Sequence, residues 1–150
     1  MNIREINKQE LPSLLELYKH LHGSDEPAPH EIAADTWESI CSDKNLVYFG
    51  LYSNDRLVTS CTVAIIPNLT RGCRPYGLIE NVVTHSDHRR KGFGKAILNA
   101  ALKHAWKKNC YKVMLLTGRK DEATLSFYES AGFNANEKVA FVAKPETHNH

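Results

Sequence analysis

Long hydrophobic runs are missing from this chain. No stretch of about 18 apolar residues, the length a helix needs to cross a bilayer, occurs among its 150 residues. The N-terminal Met1-Asn2-Ile3-Arg4-Glu5 has no apolar core of signal-peptide type. A cytoplasmic protein without a membrane partner is expected. Cysteine is scarce: Cys41, Cys61, Cys73 and Cys110 include no C-x-x-C pair. Metal and redox motifs are therefore unsupported, and four reduced thiols are expected, with Cys61 and Cys110 in or beside buried elements. Excess charge is small, at +2. That is too little for a nucleic-acid coat, and no aromatics interleave with the basic residues. Internal repeats and low-complexity segments are absent as well.

What is present fits one domain over residues 1–150 with a real core: 42% apolar and 24% charged residues, ordinary values for a globular protein. Asn2 to Asn7 reads as a short strand. Leu11 to Leu21 reads as a helix, with Leu11, Leu14, Leu15, Tyr18 and Leu21 on one face and Gly23 ending it. Glu31 to Cys41 is a second helix with Ile32, Trp37 and Ile40 inward. Leu46–Tyr52 and Leu57–Ile66 are strands joined by the turn Ser53-Asn54-Asp55-Arg56. Pro67 to Pro75 is a loop, and Tyr76 to His85 a third strand. Phe93 to Lys107 is a long helix, and Tyr111 to Thr117 a strand expected to be buried on both faces. Asp121 to Ser130 is a helix stopped by Ala131-Gly132. Phe133 and Val139–Ala143 are expected to close the sheet with a last strand or two, before a flexible tail at 145–150. Trp37, Tyr48 and Trp106 are expected in or near the core. This order implies an α+β or α/β domain built on one mixed sheet.

The most informative stretch is Arg89-Arg90-Lys91-Gly92-Phe93-Gly94-Lys95. It joins a strand to a helix and is basic and glycine-rich. The first N–H groups of a helix have no intrahelical partner, and glycines let backbone approach an anion, so the stretch suits phosphate. A Walker A loop needs G-x-x-x-x-G-K-[ST]; Arg89 and Ala96 break it. A dinucleotide fingerprint needs G-x-G-x-x-G; Ile97 breaks that. The pattern that fits is [RQ]-x-x-G-x-[GA], filled by Arg89, Gly92 and Gly94.

With the strand ahead of it, this loop resembles motif A of the GCN5-related N-acetyltransferases. Leu125-Ser126-Phe127-Tyr128-Glu129-Ser130-Ala131-Gly132-Phe133 is similar to the F-Y-x-x-x-G-F signature of the same family. The resemblance covers Tyr76 to Phe133 by motif and the whole chain by element order. It implies the acyl-CoA N-acyltransferase fold, an α+β domain of the α/β three-layer type with a central mixed sheet and helices on both faces. The implied reaction is transfer of acetyl from acetyl-CoA to a primary amine by direct attack, with no metal. It also implies a cleft between the strands at Tyr76–His85 and Tyr111–Thr117. The pantetheine arm would pair with Val82, Val83 and Thr84 like an added strand. The pyrophosphate would lie on the amides of Arg90, Lys91, Gly92, Phe93, Gly94 and Lys95, with Arg89 supporting the loop.

By the same resemblance, Tyr128 aligns with the tyrosine near the CoA sulfur, where a phenol can protonate the leaving thiolate; the bland reading is packing with Phe127 and Phe133. Asp121 stands where many relatives have Asn on the cofactor arm, or it is a helix cap. Glu80, just before the cofactor-pairing residues, is either a general base for the amine, directly or through water, or the ion-pair partner of Arg71 or Arg74. His85 and His88 flank the loop, His85 as a conceivable base but more simply a solvated or phosphate-contacting side chain.

The acceptor is expected to be a small-molecule amine. The run Ile79-Glu80-Asn81-Val82-Val83 resembles the amino-sugar-phosphate branch, which carries Asp where this chain has Asn81. Arg71 and Arg74 would then meet the sugar phosphate. Protein N-termini and lysines stay open as acceptors. The competing reading outside catalysis is a CoA-binding regulatory module. Many such domains pair through C-terminal strands, so a homodimer is also open.

Overall fold

The structure is a computed structural model that describes residues 1–21 and 25–146. Gly23 and the end of the expected tail lie outside the described residues. Two compact units emerge, Met1–Leu115 and Leu116–His150.

The first unit is built on a five-stranded sheet in the order β1-β2-β3-β4-β5. Its strands are β1 (Asn2–Glu5), β2 (Leu46–Ser53), β3 (Arg56–Ile66), β4 (Tyr76–Thr84) and β5 (Val113–Leu115). The first four are antiparallel neighbours; β4 and β5 run parallel. Asn54 and Asp55 both take positive φ, 51° and 63°. That is the backbone of a tight two-residue hairpin, which Asn and Asp tolerate.

Helices α1 (Leu11–Tyr18) and α2 (His30–Ser42) follow β1. A single 3-10 turn, Lys8–Glu10, leads into α1. Its Asn7 and Glu10 form a reciprocal capping box, which satisfies amides that the first turn leaves open. Trp37 of α2 meets Tyr48 edge to face, whereas His104 of α4 (Phe93–Lys107) meets Phe49. Adjacent strand residues point to opposite faces, so α2 and α4 cover opposite sides of the sheet. Ile6, Leu14, Leu17, Trp37, Tyr52, Leu57 and Val83 form the core on the α1/α2 side. Ile97, Leu98, Ala101 and Ala105 are the buried stripe of α4, at the 1, 4 and 8 offsets of a helix face.

Several expectations need correction. α1 ends at Tyr18, three residues early. Leu17 takes the inward position and Leu15 is 42% exposed, because Leu14, Leu17 and Leu21 make the stripe and Leu15 stands about 100° away from Leu14. Ile32 and Trp106 are also exposed; Ala105, beside Trp106, fills the buried slot. The Pro67–Pro75 loop contains a short turn, α3 (Thr70–Cys73), with left-handed Arg71 and Gly72. β5 is only three residues long and half-buried, since an edge strand has a neighbour on one side only.

The second unit contains α5 (Glu122–Ser130). No strand forms after it among the described residues. Val139, Phe141 and Val142 are exposed, Phe141 by 91%, where closing strands were expected. All four cysteines are free, Cys61 and Cys110 buried and Cys41 and Cys73 exposed. Among the described residues no helix is long and apolar enough to cross a membrane, and no group of His, Cys, Asp or Glu is placed to hold a metal ion.

Candidate active site

β4 pairs with β3 along its length apart from one bulge, and its other edge is half open. Towards β5 it pairs only at Gly77, Leu78 and Ile79. From Glu80 to Thr84 that edge has no strand beside it among the described residues. Unpaired strand amides and carbonyls are a template for an extended ligand. Where the pairing stops, β4 carries a bulge. Ser60 pairs with Val83 and Thr62 with Glu80, so Cys61 alone opposes Asn81 and Val82. Asn81 has φ 53°, the left-handed conformation that Asn accepts better than most residues. The bulge was not foreseen; an Asn inside a β-branched run was the only cue.

Glu80 is exposed on the strand. No ion pair to Arg71 or Arg74 forms. Arg74 donates to the carbonyls of Asn109 and Cys110, and the Arg71 guanidinium lies 5.5 Å from the Tyr111 ring centre. The ion-pair reading of Glu80 therefore fails. In the sheet register Glu80 shares a cross-strand row with Thr62 and Tyr48, on the α1/α2 face. Thr62 Oγ1 and the Tyr18 hydroxyl are buried there without a partner of hydrogen-bond geometry. Burial pushes the Tyr18 phenol above its ordinary value. The two hydroxyls interact with each other, and each keeps further hydrogen-bonding capacity for a water or a ligand.

At the C-terminal end of β4 the chain makes a 3-10 turn, Ser86–His88, and enters the basic loop. The His85 ring caps this turn, Nδ1 accepting from the Asp87 N–H at 3.0 Å. Burial, then His20, then Arg56 lower the pKa of His85. Arg89 donates to the Thr84 carbonyl at 3.3 Å and to the His20 carbonyl at 3.2 Å. It ties β4 to the segment after α1, a link across 69 positions that local sequence could not reveal. Arg90 and Gly92 are left-handed, φ 62° and 80°. Such residues turn successive amides to one side, as anion cradles do. Gly92 is the N-terminal boundary of α4 and has no side chain to cap it. The first bond back is Ala96 N–H to Gly92 C=O at 3.0 Å, so the amides before Ala96 are the open donors of the helix end. Glu80, Val82–Thr84 and Arg89–Lys95 thus follow one another along β4, the loop and α4 within the first unit.

Tyr128 and Asp121 belong to the second unit. Tyr128 lies on α5, half-buried, 4.9 Å from Phe127 and 6.4 Å from Phe133 between ring centres. Asp121 caps α5: its carboxylate accepts from the Thr124 N–H at 3.1 Å and pairs with Arg119 at 3.1 Å. The Thr124 hydrogen bonds hold its pKa low. The helix closes at Gly132, φ 101°, with Gly132 N–H to Glu129 C=O and Phe133 N–H to Tyr128 C=O. That pair of bonds is a Schellman motif, which requires the left-handed glycine.

The model of the Acetyltransferase (GNAT) family matches residues 11–133. A glucosamine 6-phosphate N-acetyltransferase of Trypanosoma brucei brucei is 33% identical over 138 residues, 92% of this chain and 92% of that protein. The protein of the same name from Schizosaccharomyces pombe is 32% identical over 78 residues, 52% of this chain and 68% of its own. A solved structure of a putative acetyltransferase from Agrobacterium tumefaciens is 40% identical, with a TM-score of 0.90, over 96% of this chain and 100% of that one. With an open β4 edge, an anion-ready helix end and these matches along nearly its whole length, the chain belongs to the GNAT family and is an acetyl-CoA-dependent N-acetyltransferase.

Proposed function

We propose that the acceptor is an amino-sugar phosphate, with glucosamine 6-phosphate as the leading substrate. The observation that carries this is the T. brucei relative, one-third identical along 92% of both chains and named for that reaction. The adjacent buried hydroxyls of Thr62 and Tyr18 on the face that carries Glu80 fit a hydroxyl-rich acceptor better than an aliphatic amine. Arg74 has its guanidinium engaged by two carbonyls, so a phosphate role falls to other cations.

In this reading Val82, Val83 and Thr84 present β4 backbone to the pantetheine arm. The amides from Arg90 to Lys95 hold the pyrophosphate, and Arg89 braces the loop. Glu80, directly or through water, takes the proton that the acceptor ammonium must lose. The amine nitrogen then attacks the thioester carbonyl and the C–S bond breaks. Tyr128, assigned by its motif position, gives a proton to the departing thiolate. Asp121 was a second candidate for the cofactor arm; its carboxylate is already occupied as a cap, which supports a role in holding α5.

The test is a thiol-release screen with acetyl-CoA against glucosamine 6-phosphate, glucosamine, aminoglycosides, polyamines, amino acids and peptides. Glucosamine 6-phosphate is expected to lead glucosamine in kcat/KM by at least about tenfold, equivalent to roughly 1.4 kcal/mol. A peptide or polyamine turned over faster than every sugar would overturn the assignment.

A further inference from the structure

A groove of about 370 Å³ lies in the first unit between α1, the β2–β3 hairpin and the corner at His85. None of Glu80–Thr84 or Arg89–Lys95 lines it, so it is not the open edge of β4 or the loop amides. On one wall, His20, Arg56 and His85 do not satisfy one another. The Asp87 backbone N–H, which can only donate, uses the Nδ1 lone pair of His85. In the neutral ring the proton then sits on Nε2. Arg56 Nη2 lies 3.4 Å from that Nε2, and guanidinium nitrogen is also only a donor. Two donors meet with no acceptor between them. His20 repeats the pattern: its Nδ1 accepts from the Ser86 N–H at 3.3 Å, which makes its Nε2 a donor too. The two imidazoles lie against each other, 4.0 Å between centroids. Arg56 and the two imidazoles, from three segments, therefore line the same groove as donors.

The carboxylates of the groove do not fill this need. Glu10 is held by Arg4, the Asn7 N–H and the Tyr52 hydroxyl. Glu16 pairs with Lys19 at 2.8 Å. Asp55, at the hairpin tip, has no ion pair among the described residues. We propose that this groove binds a small molecule through a carboxylate or phosphate group, held by Arg56 and the Nε2–H groups of His85 and His20. The site is wired to the donor loop. His20 takes the Ser86 N–H through its ring and an Arg89 N–H through its carbonyl, while His85 caps the turn that leads into the loop. An occupant that fixes both rings therefore also fixes the approach to the loop amides. It acts as an effector on acetyl-CoA binding without touching acetyl-CoA. This goes beyond the acceptor assignment and does not depend on it.

The experiment titrates the full chain with sodium phosphate and, separately, sodium acetate, ionic strength held constant with chloride. Nitrogen-15 spectra of the imidazoles and the Kd for acetyl-CoA are recorded together. Expected are Nε2–H tautomers for His20 and His85, a saturable shift of both rings, and a severalfold change in the acetyl-CoA Kd at saturation. Whichever probe saturates at lower concentration identifies the head group. Arg56→Gln, an exposed hairpin position, should weaken the probe by tenfold or more while leaving turnover without the probe unchanged. The proposal fails if the shifts grow linearly with salt or persist in Arg56→Gln. It also fails if His85 carries its proton on Nδ1, or if a confirmed acceptor amine displaces the probe competitively, which would make the groove part of the acceptor site.

Discussion

The loop Arg89–Lys95 and the block Leu125–Phe133 both match the family's motifs, yet they are held in different ways. The loop is fixed from a distance. Arg89 reaches the His20 carbonyl, and α4 behind it is fastened by Ile97, Leu98, Ala101 and Ala105, all fully buried. The block is fixed locally. Asp121 caps its start, the bonds around Gly132 close its end, and α5 has no buried residue. The anion site proposed for the loop needs amides held rigid before the ligand arrives, a demand that a core-mounted helix meets. The proton-donating phenol proposed for Tyr128 needs a defined side chain on a short helix, which local caps can supply.

Breaking the two supports should have unequal effects. Ile97→Ala should cost about 2–5 kcal/mol of global stability, a cavity in the best-packed helix, read as a lowered denaturation midpoint. Tyr128→Phe should retain the fold and lower kcat about a hundredfold, the low end of general acid catalysis. Unchanged turnover would falsify the proton-donor role and leave Tyr128 as packing. Gly92→Ala and Gly132→Ala each force a left-handed alanine, costing about 1–2 kcal/mol. Nothing lies within 4 Å of an added Cβ at either position, so the cost is backbone strain alone. The two should diverge in function: Gly92→Ala raises the acetyl-CoA Kd, Gly132→Ala leaves it alone. Equal effects on the Kd would erase the distinction between the two motifs.

A smaller effect belongs to pH. The Arg4 hydrogen bond holds Glu10 at about 2, against an ordinary 4.5. Its folded value lies below its unfolded one, so its stabilisation is complete above 4.5 and drains away as pH falls through about 2. Denaturation midpoints between pH 5 and pH 3 should therefore fall less in Glu10→Gln than in the wild type. Smallest of all, Phe141→Ser should stay within about 0.5 kcal/mol, as exposed positions do; a large loss would mean that residues 139–143 are packed in solution.

Much of this was legible in the chain. Phe93–Lys107 was read to the residue, because a strong periodic stripe follows a glycine and a strand. The Asn54-Asp55 turn and the end of α5 at Gly132 were legible because local φ preferences decide them. Misreadings came where a partner decides. Leu15 and Ile32 look inward by periodicity, yet both are exposed, and the sheet selects Leu17 and, as expected, Trp37. Val139–Ala143 has strand composition, but β propensity expresses itself only beside another strand. At the site, the charges and glycines of the loop were visible; the Arg89–His20 brace, the Asn81 bulge and the Thr62–Tyr18 hydroxyls were not, since each joins residues far apart in sequence.

The bulge at Asn81 also guards the sheet during assembly. If β4 slipped by one residue against β3, the left-handed position would fall on Glu80 or Val82. Val82 is β-branched and resists that conformation, at a cost of about 1–3 kcal/mol. The slip would also turn Ile79 and Val83 out of their two cores and Glu80 into one. Misregistered chains are therefore penalised twice, by backbone and by burial, before any substrate is bound. The same asparagine that shapes the open edge of β4 proofreads the alignment of the strand that bears it.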